Sequence, residues 1–228
     1  MTTHPPPDFN PRERRIAGAL LSIGAVALSP EAPFTWASGL KSPIYCDNRL
    51  TMAHPDIRRQ ITRGFGELID QYELSPDVIA GTATAGIPHA AWLAEVLDLP
   101  MVYVRSKPKE HGRLHQIEGQ LEPGRRVVVI EDLISTGGSS MAVVRVLQQA
   151  GAVVEAVLGI FSYGFPEAHH LFKEAGVPAY TLTTFAALMD VAAAEGRIPE
   201  NAREALDSWR KDPKAWSEAV VAREQIPR

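Results

Sequence analysis

The chain has 228 residues, of which 45% are hydrophobic and 22% are charged, and its formal net charge is −4. This length and composition are typical of a globular enzyme and argue against a nucleic-acid-binding surface. The single cysteine, Cys46, excludes an internal disulfide framework, and no apolar run approaches the roughly 18 residues of a membrane span. The N-terminal residues also lack the order of a signal peptide, so we expect a cytoplasmic protein that binds neither membrane nor nucleic acid.

The N-terminal part of the chain predicts a helix followed by a small flap. Residues 1–13 are rich in proline and polar groups, so we expect a disordered lead-in. Apolar residues recur at helical spacing from Arg14 to Leu28. Between Glu31 and Leu50, aromatic and aliphatic residues flank a Ser-Gly turn, which predicts a two-stranded hairpin. Residues 14–54 are therefore assigned to an N-terminal helix and this flap.

Helices and strands alternate from residue 55 onward. An amphipathic helix, Pro55–Tyr72, precedes a short strand, Asp77–Ala80, and a small hydroxyl-bearing turn, Gly81–Ala90. Such a turn either offers backbone N–H groups to an anion or closes tightly with no ligand. The alternation predicts an α/β fold with a mainly parallel sheet flanked by helices. We assign residues 55–185 to this core and residues 186–228 to C-terminal helices that pack on it.

A strongly polar segment follows the predicted buried strand Met101–Val104. Residues Ser106–Gln116 contain a single apolar residue, and lysines, arginine and histidines cluster among them. A segment this polar cannot bury itself, so it predicts a mobile loop. Its cations either form an ordinary solvated face or close over an anion bound at neighbouring turns.

The most informative stretch of the chain is Val127–Ser140. Val127–Ile130 has the composition of a buried strand, and two acids, Glu131 and Asp132, follow it before a turn of serine, threonine and glycine. A helix begins near Met141, and a strand, a polar loop and a helix in this order form a phosphate site in α/β folds. Because acids repel phosphate, we expect them to bind sugar hydroxyls or to hold Mg²⁺ through its waters. The alternative is an ordinary junction in which the acids cap the helix, while the motifs of nucleotide hydrolases and dinucleotide-binding proteins are absent.

This stretch resembles the phosphoribosyl-pyrophosphate (PRPP) loop of type I phosphoribosyltransferases. The flap resembles the N-terminal hood of the orotate phosphoribosyltransferase family, and Arg105, Lys109 and His111 match that family's Arg-x-x-x-Lys-x-His-Gly loop. The resemblance implies the type I phosphoribosyltransferase fold with a small N-terminal hood. It also implies transfer of the 5-phosphoribosyl group from PRPP to orotate, giving orotidine 5′-monophosphate and pyrophosphate in pyrimidine biosynthesis.

The resemblance further implies the cofactor, the assembly and the site residues. Mg²⁺ would be bound mainly through PRPP and water, and a homodimer would place Lys109 and His111 in the partner's site. The implied catalytic residues are Lys109, His111 and Asp132, and the implied orotate contacts are Ser135, Tyr45 and Cys46. The implied PRPP contacts are Arg105, Lys109, His111, Glu131, Asp132, Leu133, Ile134, Ser135, Thr136, Gly137, Gly138 and Ser139.

Three positions around the base depart from the pattern of many family members. Ala37 stands where they carry a PRPP-contacting lysine, Cys46 where they carry an aromatic residue, and no arginine follows the strand that ends near Tyr163. Two other functions are therefore kept as alternatives: transfer to a different nucleobase, and PRPP sensing by a non-catalytic regulator. The regulator would need an added DNA-binding module or a basic face.

Overall fold

The first helix begins earlier than the sequence pattern predicts. The structure is a computed structural model that describes residues 10–36, 38–106, 116–198 and 200–224. Helix α1 (Pro11–Ser22) starts with a capping box, because the Asn10 side chain accepts a hydrogen bond from the Glu13 N–H at 3.0 Å and the Glu13 carboxylate accepts one from the Asn10 N–H at 3.1 Å. The predicted lead-in of residues 1–13 therefore extends too far, and residues 1–9 lie outside the described part.

The hood consists of two small antiparallel pairs rather than the one predicted hairpin. Helix α1 ends at Ser22, and Gly24, with φ of +69°, turns the chain into strand β1 (Val26–Leu28). The prediction that the helical pattern extends to Leu28 was therefore wrong for its last residues. Because Pro43 cannot donate to a ladder, it separates two pairings that the prediction had merged. Strand β2 (Phe34–Thr35) pairs with β3 (Lys41–Ser42), whereas β4 (Ile44–Cys46) pairs with β1.

The core is a six-stranded sheet, parallel except at one edge. From one edge to the other, its described strands are β10 (Ala179–Thr184), β9 (Val153–Ser162), β8 (Arg126–Ile134), β5 (Val78–Thr82), β6 (Met101–Val104) and β7 (Ile117–Glu118). Within the described part of this sheet, only β7 runs antiparallel to its neighbour. The predicted mainly parallel sheet flanked by helices is confirmed. A 3₁₀ helix, Asn48–Ala53, precedes the helices of the core, which are α2 (Pro55–Gln71), α3 (Gly86–Leu97), α4 (Gly138–Gln149) and α5 (Pro166–Ala175).

Apolar residues cover both faces of the sheet. Along β8, Val128 and Ile130 belong to one buried cluster, and Val127 and Val129 belong to the other. This alternation explains why the strand is an unbroken apolar run in the sequence. Parallel pairing places Gly81 of β5 opposite Ile130 of β8, so the turns that follow these two strands lie side by side.

The C-terminal helices contact the hood as well as the core. They are α6 (Phe185–Ala194), α7 (Glu200–Lys211) and α8 (Pro213–Glu224). The fully buried Trp209 of α7 lies with its ring centroid 5.9 Å from that of Trp36 in the hood. The Lys41 N–H of β3 donates to the Ser217 hydroxyl of α8 at 2.9 Å, so two of these helices hold the hood against the core. Among the described residues, no helix is both long and apolar enough to cross a membrane.

Candidate functional site

The acid pair lies within strand β8 rather than beyond its end. Parallel pairing with β9 continues through Glu131, opposite Gly159, to Ile134, opposite Ser162, so the predicted strand end at Ile130 was too early. Glu131 is 4% exposed, and its carboxylate accepts hydrogen bonds from the Asp132 N–H at 3.1 Å and from the Ser140 hydroxyl at 2.9 Å.

Burial dominates the electrostatics of this pair. Loss of solvation, reinforced by the negative charge of Asp132, raises the pKa of Glu131 to about 8. Burial also raises the pKa of Asp132, against the hydrogen bonds that favour its charged form. The two carboxyl groups can therefore share a proton near neutral pH, which lowers the cost of placing them together in the absence of a cation.

A glycine turn directs the N-terminus of α4 toward the acids. Gly137 has φ of +81°, and a Cβ there would lie 3.1 Å from the Phe172 ring, so only glycine fits this position without strain. Helix α4 begins at Gly138, ahead of the predicted start at Met141. The first backbone N–H groups of α4 and the hydroxyls of the turn therefore face the space beside Glu131.

The turn after β5 packs tightly against the acid strand. A Cβ at Gly86, the first residue of α3, would collide with the carbonyl oxygen of Ile130. Because no side chain separates the two backbones, Thr82–Ala85 and the acid pair open into one cavity of about 470 Å³. The cavity is lined by Cys46, Asp47, Arg49, Thr82, Ala83, Thr84, Ala85, Glu131, Asp132, Leu133, Ser135, Thr136, Gly137, Gly138 and Ser139.

The described lining of this cavity carries more negative than positive charge. Asp47, Glu131 and Asp132 are its acids, and Arg49 is its one basic residue among the described lining. The Arg49 guanidinium donates to the Asp47 carboxylate at 2.6 and 2.9 Å. Arg49 was not among the predicted site residues, and its one signal in the sequence was its place in the hood, three residues after Cys46. A polyanion bound here needs further cations from outside this lining.

The structure brings most of the predicted site residues together. Cys46 lines the cavity, and burial raises the pKa of its thiol. Tyr45, on the opposite face of β4, is 42% exposed and is outside the described lining, with its ring 5.7 Å from that of Phe34. Ile134 is buried, and its side chain fills the space that a Cβ at Gly159 would need, outside the described lining of the cavity.

The predicted cationic loop is described only at its two ends. Arg105 follows β6, and its backbone N–H donates to the Gln116 carbonyl at 2.9 Å. One guanidinium nitrogen of Arg105 lies 3.7 Å from a Glu118 carboxylate oxygen, and the residue is outside the described cavity lining. Lys109 and His111, like Ala37 in the hood, lie outside the described residues.

Comparisons with known proteins agree on one family. A model of the phosphoribosyl transferase domain matches residues 52–160. The orotate phosphoribosyltransferase of Bacillus caldolyticus is 56% identical over 201 residues, covering 88% of this chain and 97% of that protein. That of Listeria monocytogenes is 53% identical over 204 residues, covering 90% and 98%.

Solved structures agree in fold. Orotate phosphoribosyltransferase from Aeropyrum pernix superimposes with a TM-score of 0.70 at 30% identity, covering 81% of this chain and 99% of that chain. Leishmania donovani UMP synthase superimposes with a TM-score of 0.73 at 25% identity, covering 87% of this chain and 42% of that chain.

Proposed function

The chain belongs to the orotate phosphoribosyltransferase family, and we propose that it joins orotate to PRPP in the cavity between β5 and β8. The reaction gives orotidine 5′-monophosphate and releases pyrophosphate. The assignment to this cavity rests on one observation. An acid pair, a hydroxyl-rich turn at a helix N-terminus and the hood strand β4 all line the same cavity. The names of the curated relatives favour orotate over another nucleobase and over a non-catalytic regulator.

The 5′-phosphate of PRPP would bind at the turn Ser135–Ser139. Backbone N–H groups at the start of α4 lack partners within the helix, and the helix dipole favours an anion there. The hydroxyls of Ser135, Thr136 and Ser139 supply further donors. A phosphate fixed at this end holds the sugar still while the bond at the anomeric carbon breaks.

The ribose hydroxyls would bind the acid pair. Asp132 faces the cavity, and Glu131 is already engaged by Ser140, so Asp132 is the freer acceptor for a sugar hydroxyl. As the glycosidic bond to pyrophosphate breaks, positive charge develops on the ribose ring. A negative charge on Asp132 stabilises that transition state more than the neutral ground state, which is the reason for its proposed catalytic role.

The leaving pyrophosphate needs cations that the described lining does not provide. Carboxylate oxygens are suitable partners for Mg²⁺, and it typically keeps several waters and binds substrate phosphates. Asp132 would contact such an ion through water, while within the described ranges no three His, Cys, Asp or Glu side chains form a metal site. When bound, Mg²⁺ neutralises charge on the pyrophosphate.

Arg105, Lys109 and His111 complete this charge balance in the proposal. Arg105 stands at the carboxyl end of β6, the strand next to β5, which supports a loop able to reach the cavity mouth. We further propose a homodimer in which Lys109 and His111 act in the partner's cavity. A closing loop excludes water and delivers positive charge as the pyrophosphate departs.

Orotate would lie between the hood and the acid strand. Cys46 and Ser135 both line the cavity, which supports their proposed contacts with the base. The exposure of Tyr45 means that its proposed contact requires movement of the hood. A cytoplasmic location is also our proposal, and the free thiol of Cys46 supports it.

A spectrophotometric assay with PRPP and Mg²⁺ tests this function. Orotate, uracil, adenine and hypoxanthine serve as parallel acceptors, and Asp132→Asn serves as the inactive control. Consumption of orotate alone is the expected result. Turnover of another base would support the alternative transferase, and binding of PRPP without turnover of any base would support the regulator.

A further inference from the structure

Three buried polar side chains form a connected group beneath the cavity, and the mechanism above does not use them. They are Asn48 and Thr51 of the 3₁₀ helix and His89 of α3, which are 1%, 0% and 1% exposed. Burying polar groups costs free energy unless they are hydrogen-bonded. Their contacts therefore indicate what this group holds in place.

Asn48 connects the end of the hood to the acid strand. Its side-chain amide donates to the backbone carbonyl of Asp132 at 2.6 Å, across 84 residues of sequence. The N–H of Asp132 is held at the same time by the Glu131 carboxylate at 3.1 Å. Both backbone polar groups of Asp132 are thus engaged, and one of the two partners comes from the segment that follows Cys46 in β4.

Thr51 and His89 extend this connection to the turn after β5. The Thr51 hydroxyl donates to the Asn48 carbonyl at 2.5 Å, and its oxygen lies 3.3 Å from Nε2 of His89. Because the Thr51 proton is already used, we assign the His89 proton to Nε2 as the donor to Thr51. Burial lowers the pKa of His89 to about 4, so a neutral imidazole fits this assignment.

The group therefore contacts three segments that face the substrates. Asn48 leads out of the hood, Asp132 lies in the acid strand, and His89 stands on the first turn of α3 beside the β5 turn. Within the described residues, Asn48 Oδ1 and His89 Nδ1 have no hydrogen-bond partner.

We propose that Asn48 is a positioning residue that sets the distance between the base held by the hood and the ribose held by Asp132. This inference rests on the proposed function, since it concerns the geometry of that same cavity. Transfer requires the base nitrogen and the anomeric carbon to approach in line at near-attack distance. Cys46 and Asp132 both line the cavity, and the Asn48 amide forms a direct hydrogen bond between the two segments that carry them.

The test is to remove this hydrogen bond and to measure turnover separately from binding. Asn48→Leu has a similar size but no donor. We expect kcat for orotidine 5′-monophosphate formation to fall about 10- to 100-fold, because a shift of about 1 Å has effects of this size. The dissociation constants of PRPP and orotate should change by about threefold or less, since each substrate keeps its own contacts.

Two further variants keep the test decisive. Thr51→Val removes the hydroxyl that links Asn48 to His89, and we expect a smaller loss of kcat with the same unchanged binding. Thr183→Val is the matched control, because it removes a buried hydroxyl that donates to the Glu13 carbonyl at 2.9 Å, away from the cavity lining. It should lower the melting temperature and leave kcat unchanged within about twofold.

A loss of stability without a loss of kcat in Asn48→Leu would overturn the inference, because a purely structural contact behaves in that way. Substrate binding weakened as much as kcat would also overturn it, in favour of a ground-state contact. If Asn48→Leu does not fold, unchanged kcat in Thr51→Val overturns the inference, and reduced kcat with intact binding supports it. Failure of the wild-type protein to use orotate would refute the proposed function instead, which separates the two outcomes.

Discussion

Replacing Glu131 with glutamine should make the stability of the protein less sensitive to pH. The carboxyl group of Glu131 is 4% exposed and lies beside Asp132, and its pKa is raised from 4.5 to about 8. The folded protein therefore holds this proton more tightly than the unfolded chain does. The folded state consequently loses stability as the pH rises from about 4.5 toward about 8.

The size of this effect follows from the shift in pKa. Each pKa unit corresponds to about 1.4 kcal/mol, so a rise from 4.5 to about 8 destabilises the folded state by about 4 kcal/mol at pH 8. For a chain of this length, 1 kcal/mol changes the melting temperature by about 2–4 °C. The wild-type protein should therefore lose on the order of 10 °C between pH 5 and pH 8.5 through titration of the coupled Glu131–Asp132 pair.

Glutamine keeps the shape of Glu131 without an ionisable proton. Its carbonyl can still accept from Ser140, but its amide group then replaces the oxygen that accepts from the Asp132 N–H, so one hydrogen bond of Glu131 is lost. Differential scanning calorimetry at pH 5 and pH 8.5 should show a smaller loss of melting temperature in Glu131→Gln than in the wild type. Glu67→Gln is the control, because Glu67 is partly exposed in an ion pair with Arg15.

Equal losses of melting temperature in the wild type and in Glu131→Gln would refute this reasoning. The variant should also transfer phosphoribosyl groups more slowly, because it loses a hydrogen bond that holds the backbone of Asp132, the proposed acceptor of the ribose hydroxyls. Higher stability at alkaline pH together with lower activity would indicate that the acid pair is retained for function at a cost in stability.

Three further variants test other parts of the site and of the hood. Gly137→Ala places a side chain at a residue whose φ is +81° and against the ring of Phe172. We expect urea titration to show a loss of about 1–2 kcal/mol in unfolding free energy, and initial rates to show a higher KM for PRPP. No change in either quantity would contradict the described turn. Trp209→Ala leaves a cavity at a fully buried position beside Trp36 and should lower the free energy of unfolding by about 3–5 kcal/mol. The KM for orotate should rise more than the KM for PRPP, because Trp209 supports the hood. Lys109→Ala should raise the activation free energy of turnover by about 2–4 kcal/mol, and so lower kcat, while it weakens PRPP binding far less. Equal losses in turnover rate and in PRPP affinity would indicate ground-state binding instead.

Much of the sheet could be predicted because its strands are short apolar runs bounded by turn residues. Helix α5 shows such boundaries, since Pro166 starts the helix and Gly176 ends it with a positive φ. The length of β8 was underestimated because Glu131 and Asp132 are polar, although the backbone pairing with β9 continues through them. The amino-acid composition around residues 131 and 132 does not indicate backbone pairing with a strand that lies later in the chain.

Long-range pairings in the hood and beneath the cavity could not be predicted from local patterns. The single hairpin predicted between Glu31 and Leu50 pairs neighbouring segments across the Ser-Gly turn, whereas Ile44 and Tyr45 pair with the more distant strand β1. The contact of Asn48 with Asp132 joins residues 84 positions apart, and neither residue type requires the other. Arg49 likewise enters the cavity only because the 3₁₀ helix turns the chain toward the acid strand.

The most direct test of the central claim is a crystal structure of the protein with bound orotidine 5′-monophosphate. We expect the phosphate to accept hydrogen bonds from the backbone of residues 135–139, the ribose hydroxyls to contact Asp132 and the base to lie beside Cys46. A phosphate bound instead at the Thr82–Ala85 turn, or a nucleotide bound in the groove between α5 and β10, would contradict this assignment of the site.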